Sequence, residues 1–158
     1  MPHYTEDDAI EGLVAMYTEA APTAVVFPFW ALSAEKKKWP AQMVSDAADG
    51  KTYGFVMTYT GSPGVPPSER MLGGARTARS WNFEICGLHW HDEETDTGAE
   101  FRTDTRKVRE TFDRETSAVL TFPESLKLVE SFAEEFTVVP LGNVLMHLYV
   151  AQLTVRQC

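Results

Sequence analysis

Apolar residues recur with two periods along this chain, and the switches between them mark out its elements. Ile10, Leu13, Val14 and Tyr17 fall at i, i+3, i+4 and i+7, the single stripe of an amphipathic helix. Thr5 supplies its start, because its hydroxyl can accept an early backbone N–H while Glu6, Asp7 and Asp8 sit at the positive end of the helix dipole. The spacing predicts a helix from Thr5 to about Glu19 that lies on a sheet. Past the Ala20-Ala21-Pro22 break, Thr23 to Leu32 is β-branched and aromatic. Pro28 cannot donate to a ladder, so this first strand is expected at an edge or interrupted.

Lys36-Lys37-Lys38, Trp39-Pro40 and the turn signal Asp46 to Gly50 read as a solvated connection, with Trp39 as an alternative contact residue. Tyr53 to Thr60 is a strand by content, and Gly54 within it marks a bulge or a close backbone approach. In Trp81 to Trp90 the alternation is strict at first, with Trp81, Phe83 and Ile85 on one side. After Gly87 the apolar positions become Leu88 and Trp90. That shift predicts a bulge at Gly87, or a strand buried on its opposite face at the far end, with His89 and His91 projecting at the sheet's rim.

A second helix is expected after the acidic turn, where Thr95 to Glu100 offers a start and Phe101, Thr105, Val108 and Phe112 form a narrow stripe. Glu100, Asp104 and Glu110, interleaved with Arg102, Arg106, Lys107 and Arg109, read as its solvated face. Pro123-Glu124 can open a short helix carrying Leu126, Val129 and Phe132, before extended chain from Phe136 to Pro140 and a turn at Gly142-Asn143. Val144 to Arg156 is apolar on both faces at first, which suits a central final strand. The expectation is one α+β domain over residues 1–158: a mainly antiparallel sheet of about four strands, an N-terminal helix, one or two further helices packed on it, and a long projecting loop at 61–80.

That loop carries three prolines and neither period, and loops of this length in compact domains are usually functional or disordered. It reads as an arm reaching a neighbouring subunit or partner. The contact candidates are Pro66, Pro67, Arg70, Met71, Leu72, Arg76 and Arg79 within it, together with Trp39. Gly73-Gly74 lacks the Lys-Ser/Thr ending and the following helix of a phosphate-binding loop.

Composition narrows the function classes. The 158 residues, 44% of them apolar with nine Phe, five Tyr and four Trp, suffice for one core. A formal charge of −9 repels phosphate backbones, so attraction to nucleic acid is not expected, whereas DNA passing as cargo through an acidic passage is compatible with it. Two cysteines make no disulfide framework. Met1-Pro2-His3-Tyr4 lacks the basic start and apolar core of a signal peptide, and no apolar run spans a membrane, which predicts a cytoplasmic protein or one assembled there.

The chemistry on offer is sparse. His89 and His91, two apart on a strand, point to one side and can ligate a transition metal with Glu93 or Glu94 as an oxygen ligand. A similar imidazole pair opens the metal motif of cupins, but here the upstream glycine is missing and only His147 is left to close the site. The alternative is that Trp90 anchors the strand while both histidines cap its rim. Cys86 sits among aromatics, where a thiol is usually inert filler, and there is no Gly-x-Ser-x-Gly elbow. Neither a catalytic residue nor a cofactor is expected.

The order of elements over nearly the whole chain resembles that of the tail-terminator, or tail-completion, proteins of long-tailed bacteriophages. The resemblance rests on the Asp7-Asp8-Ala9-Ile10-Glu11-Gly12-Leu13-Val14-Ala15 helix, on the Trp81 to Leu88 strand running through Asp92 to Gly98 into the Phe101 to Phe112 helix, and on the closing Leu148 to Val155 strand. It implies helices on a mainly antiparallel sheet and six copies forming a ring at the head-proximal end of the tail tube. Such a ring would stop tube polymerisation and join the tail to the head. The implied partners are further copies of the chain, the tail tube protein and a head–tail connector or neck protein, within a virion assembled in the host cytoplasm and without a membrane. A cupin-like metalloenzyme using the histidine pair and another neck or head-closure protein are the alternatives.

Overall fold

Thr5 caps the first helix as its sequence predicts. Its hydroxyl accepts the Asp8 N–H at 3.4 Å, and the Asp8 carboxylate accepts the Thr5 N–H at 2.7 Å, so two otherwise unpaired donors are satisfied reciprocally. The helix, α1 (Glu6–Ala20), buries Ile10, Leu13, Met16 and Tyr17 and ends where the Ala21 N–H meets the Tyr17 carbonyl. The computed structural model describes residues 5–28, 32, 35–61, 80–92, 94, 98–113 and 126–157. The arm at 62–79, with Pro66, Pro67, Arg70, Met71, Leu72, Arg76 and Arg79, lies outside these residues, as does Glu93.

The described residues form an α+β fold with a six-stranded sheet rather than one of about four strands. β1 (Val25–Pro28) is an edge strand, parallel to β3 (Lys51–Gly61), with Pro28 as its last residue. The remaining pairings are antiparallel: β2 (Val44–Ser45) with β3, β3 with β4 (Ser80–Trp90), β4 with β6 (Val144–Gln157), and β6 with β5 (Leu126–Leu141). The order is β1-β3-β4-β6-β5, so the last strand is interior, as its two apolar faces require. Further helices are α2 (Trp39–Gln42), a single turn, and α3 (Gly98–Asp113). No helix among the described residues is long and apolar enough to cross a membrane.

Besides the strand count, three local expectations change. The short helix proposed at Leu126, Val129 and Phe132 is instead the first part of the 16-residue β5. A run of three apolar residues cannot by itself separate helix from strand, and here β6 offers a full ladder of backbone partners from Gln157 to Val144, interrupted between Val129 and Ala133. Residues 36–48 are not merely a solvated link. They form two 3-10 turns around α2 and β2, and although Lys36 to Lys38 are exposed, Trp39 and Met43 are buried. The turn that ends them is real, with Asp49 and Gly50 both at positive φ.

Third, Gly87 is no bulge. The β4–β6 register runs without a break from Ser80↔Arg156 to Trp90↔Met146. The other reading of the parity shift holds: the far end of β4 is buried on the opposite face too, with every residue from Ile85 to His89 buried. Trp81, Phe83 and Ile85 join Tyr17, Phe55, Phe101 and Tyr149 in the core beneath α1 and α3, whereas Cys86 and Leu88 join Trp39, Met43, Val56 and Met146 on the far face. At Gly87 the missing side chain makes room for rings, since a Cβ there would stand 2.7 Å from Phe55 and 3.0 Å from Phe101. Gly54 answers to the close approach expected of it: a Cβ would meet Met43 and Val25 at 3.0 Å.

Candidate functional site

Strand register assembles the polar groups at one end of the sheet. Tyr53 on β3, His89 on β4 and His147 on β6 are cross-strand neighbours, and α3 passes over them with Glu100 and Asp104. His89 is fully buried, not at the rim. Its ring stacks on Trp90 with centroids 3.8 Å apart and meets Tyr53 edge-on at 4.6 Å.

Both His89 nitrogens face acceptors. Nδ1 lies 2.8 Å from the Trp90 carbonyl oxygen and Nε2 lies 3.0 Å from Glu100 Oε2, while Glu100 Oε1 accepts from the Thr23 hydroxyl at 3.0 Å. Nδ1 therefore donates to the carbonyl, and one proton lies between Nε2 and Glu100 whichever of them carries it. These bonds join the start of α3 to β4 and to the chain entering β1. With neither nitrogen left as a free lone pair, His89 is withdrawn from the ligand set expected of it.

Two further polar links lie under the helices. The Tyr53 hydroxyl donates to the Asp104 carboxylate, and Lys107 Nζ stands 3.6 Å from Asp104 Oδ1. The Tyr17 and Tyr149 hydroxyls meet at 3.2 Å. All three phenols are held protonated well above the ordinary tyrosine range, chiefly by burial. Arg109 bridges from α3 to Glu134 on β5 at 3.1 Å, and Glu134 Oε2 is buried with no hydrogen-bond partner among the described residues.

These groups knit helices to the sheet. Cys86 points into the far-face cluster, where burial foremost and then Glu84, which accepts from its thiol at 3.6 Å, push the thiol up to about 12. It is not a nucleophile at neutral pH.

Two features at this end remain accessible. His91, one residue beyond β4, and His147 are half-buried with ring centroids 5.0 Å apart. Among the described residues no group of three or more His, Cys, Asp or Glu side chains is placed to hold a metal ion. The second feature is the β5–β6 hairpin. Phe136, Val138, Val144 and Leu145 are each 40–50% exposed, and among the described residues no strand pairs with the outer edge of β5.

Of the contact candidates, only Trp39 falls within the described residues, and at 2% exposure it fills the far-face core with Lys36 Nζ 5.6 Å from its ring. Sequence reasoning missed Asp104, assigned to a solvated face although it is 7% exposed. The signal was present: Phe101, Asp104, Thr105 and Val108 are themselves an i, i+3, i+4, i+7 stripe, with a carboxylate in its middle. Compared with protein-family models and with curated proteins, the sequence matches none.

Proposed function

We propose that this chain is a virion structural protein, a subunit of a ring at the head-proximal end of a phage tail tube that ends tube polymerisation and joins the tail to the head. The observation that carries the reading is the outer edge of β5. A 16-residue edge strand whose hairpin end exposes Phe136, Val138 and Leu145 is the kind of surface that proteins acting alone blunt or cover, and that assembling subunits use. Strand alternation places these three side chains on one face, beside α3. The two long helices, α1 and α3, packed on a mainly antiparallel sheet agree with the architecture that the resemblance implies. The buried polar groups serve helix attachment, which suits a protein that works by its shape.

In the ring, the arm at 61–80 reaches a neighbouring subunit or the connector, and a net charge of −9 leaves passing DNA unheld. The ring itself is closed by repeated heterologous contacts between identical subunits. The test is sedimentation velocity over a wide concentration range, with negative-stain imaging, for the chain alone and with its tail tube protein. Closed rings, and tubes that stop growing when the chain is added, are expected. A strict monomer in every mixture, with tubes that elongate unchanged, would overturn the reading.

A further inference from the structure

Charge is spread unevenly over the helix layer. α1 carries Glu6, Asp7, Asp8, Glu11 and Glu19 and neither Lys nor Arg. On α3, Arg102, Arg106 and Arg109 stand at i, i+4 and i+7, all three exposed. The two rows look out over opposite edges of the sheet. α1 packs on β1 and β3, and Tyr17 turns from it toward Tyr149 of β6. At about 100° per residue, Asp8, Ala15 and Glu19 face away from Tyr17 with Glu11 beside them, so this acidic flank looks outward past β1. The arginine row faces the other way, because Arg109 reaches Glu134 on β5. β1 and β5 are the two edges of the sheet.

Resting on the ring reading, we propose that the β5 side of one subunit docks against the β1 side of a second copy of this chain, the acidic flank of α1 lying along the arginine row of α3. Continuing the sheet from one copy into the next keeps both helix layers on one face, which brings the two rows together. Ala15, small and half-buried, leaves room in the acidic flank for Phe136 and Val138, the exposed side chains beside α3. Arg109 keeps its bond to Glu134 and Arg102 its own interactions, since the rows attract through their summed charge. Glu110, about 100° round the helix from Arg109, opposes docking. An antiparallel two-fold pairing of β5 with itself would instead set arginine row against arginine row, and like charges repel. Repeated head-to-tail contact is also what closes a ring.

The experiment is sedimentation velocity on the full chain, alone and with its tail tube protein. Arg106→Glu should weaken association about tenfold or more, and so should Glu11→Arg combined with Glu19→Arg. Mixing these two variants in equal amounts should give a one-to-one pair that does not grow, because each keeps one intact row and the intact rows meet once. Raising salt from about 0.05 to about 0.5 M should loosen the wild type. All three positions are exposed, and thermal melts of each variant separate lost docking from lost folding. Unchanged association in both folded variants would overturn the proposal and leave the ring reading standing. Tighter association in Arg106→Glu, as two-fold pairing of β5 requires, would also overturn it. Charge reversals that act as expected while tubes elongate unchanged would sink the ring reading alone. A wild type that stays monomeric in every mixture would sink both.

Discussion

Tyr53 and Asp104 meet where the histidine end of the sheet faces the underside of α3, and the phenol donates its proton to a carboxylate that is only 7% exposed. Asp104 is tolerated there because a donor from β3 and the Lys107 ammonium both face it. Removing the phenol leaves a mostly buried carboxylate short of a donor. Tyr53→Phe is therefore expected to cost about 1–3 kcal/mol, and Tyr53→Phe with Asp104→Leu to cost less than the sum of the two single changes, because both halves of the bond go together. Urea denaturation of the four proteins checks this. Additive losses would mean that the two side chains do not interact.

Gly87→Ala tests the account of the parity shift. The added methyl would stand 2.7 Å from the Phe55 ring, which is wedged between Tyr17, Tyr53 and Phe101, so the ring has little room to retreat. Overpacking of this kind costs about 1–3 kcal/mol. Phe55→Leu should recover part of the loss in the double variant, as read from thermal midpoints.

Alkaline pH should weaken the fold. The Cys86 thiol is raised from 9.0 to about 12, and Tyr17, Tyr53 and Tyr149 are raised above 10.0, mainly through burial in each case. In the range between the unfolded and folded values the native state binds more protons than the unfolded state, so stability is fully present below about pH 9 and falls as pH rises through about 12. Denaturant midpoints at a series of pH values from neutral to strongly alkaline should decline steadily, and less steeply in Cys86→Val. In a Cys158→Ser background, thiol reagents at pH 8 should label Cys86 far more slowly in the native protein than in urea.

On the hairpin, Val138→Glu changes a side chain that is 48% exposed, so the fold should lose no more than about 0.5 kcal/mol. If β5 supplies the subunit contact, the same change should move the sedimentation coefficient to that of a monomer. Thermal melts beside sedimentation profiles separate the two effects, and an unchanged assembly would place the contact elsewhere.

The elements that declared themselves in the sequence are those whose local signals agree with their tertiary use. α1 has its cap, acidic turn and stripe in register, and β4 and β6 carry more apolar positions than a half-exposed strand needs. Only the second half of β5 declared itself, as the extended run Phe136 to Pro140 before the Gly142-Asn143 turn; the first half did not, because its strand state is imposed by the far end of β6, where Leu126 pairs with Gln157. The site was legible in residue types only. His89 and His91 are visible as a pair, but which of them is accessible depends on the register that sets His147 opposite His89 and on the helix that brings Glu100 to it. That information lies in long-range pairing, which no local period records.

The Gly142-Asn143 turn bears on how the chain reaches this fold. Leu141 pairs with Val144 across two loop residues, and Gly142 takes a positive φ of 65°, as the first position of a tight hairpin loop favours. This hairpin is the most local pairing in the sheet and can close within about 1–10 μs, whereas β4 must find β6 across α3 and β5. During folding the ribbon therefore exists with both of its edges open before β4 arrives to take one. The outer edge of β5 is thus open from the moment the hairpin closes, which makes the supply of partner at that moment a determinant of yield.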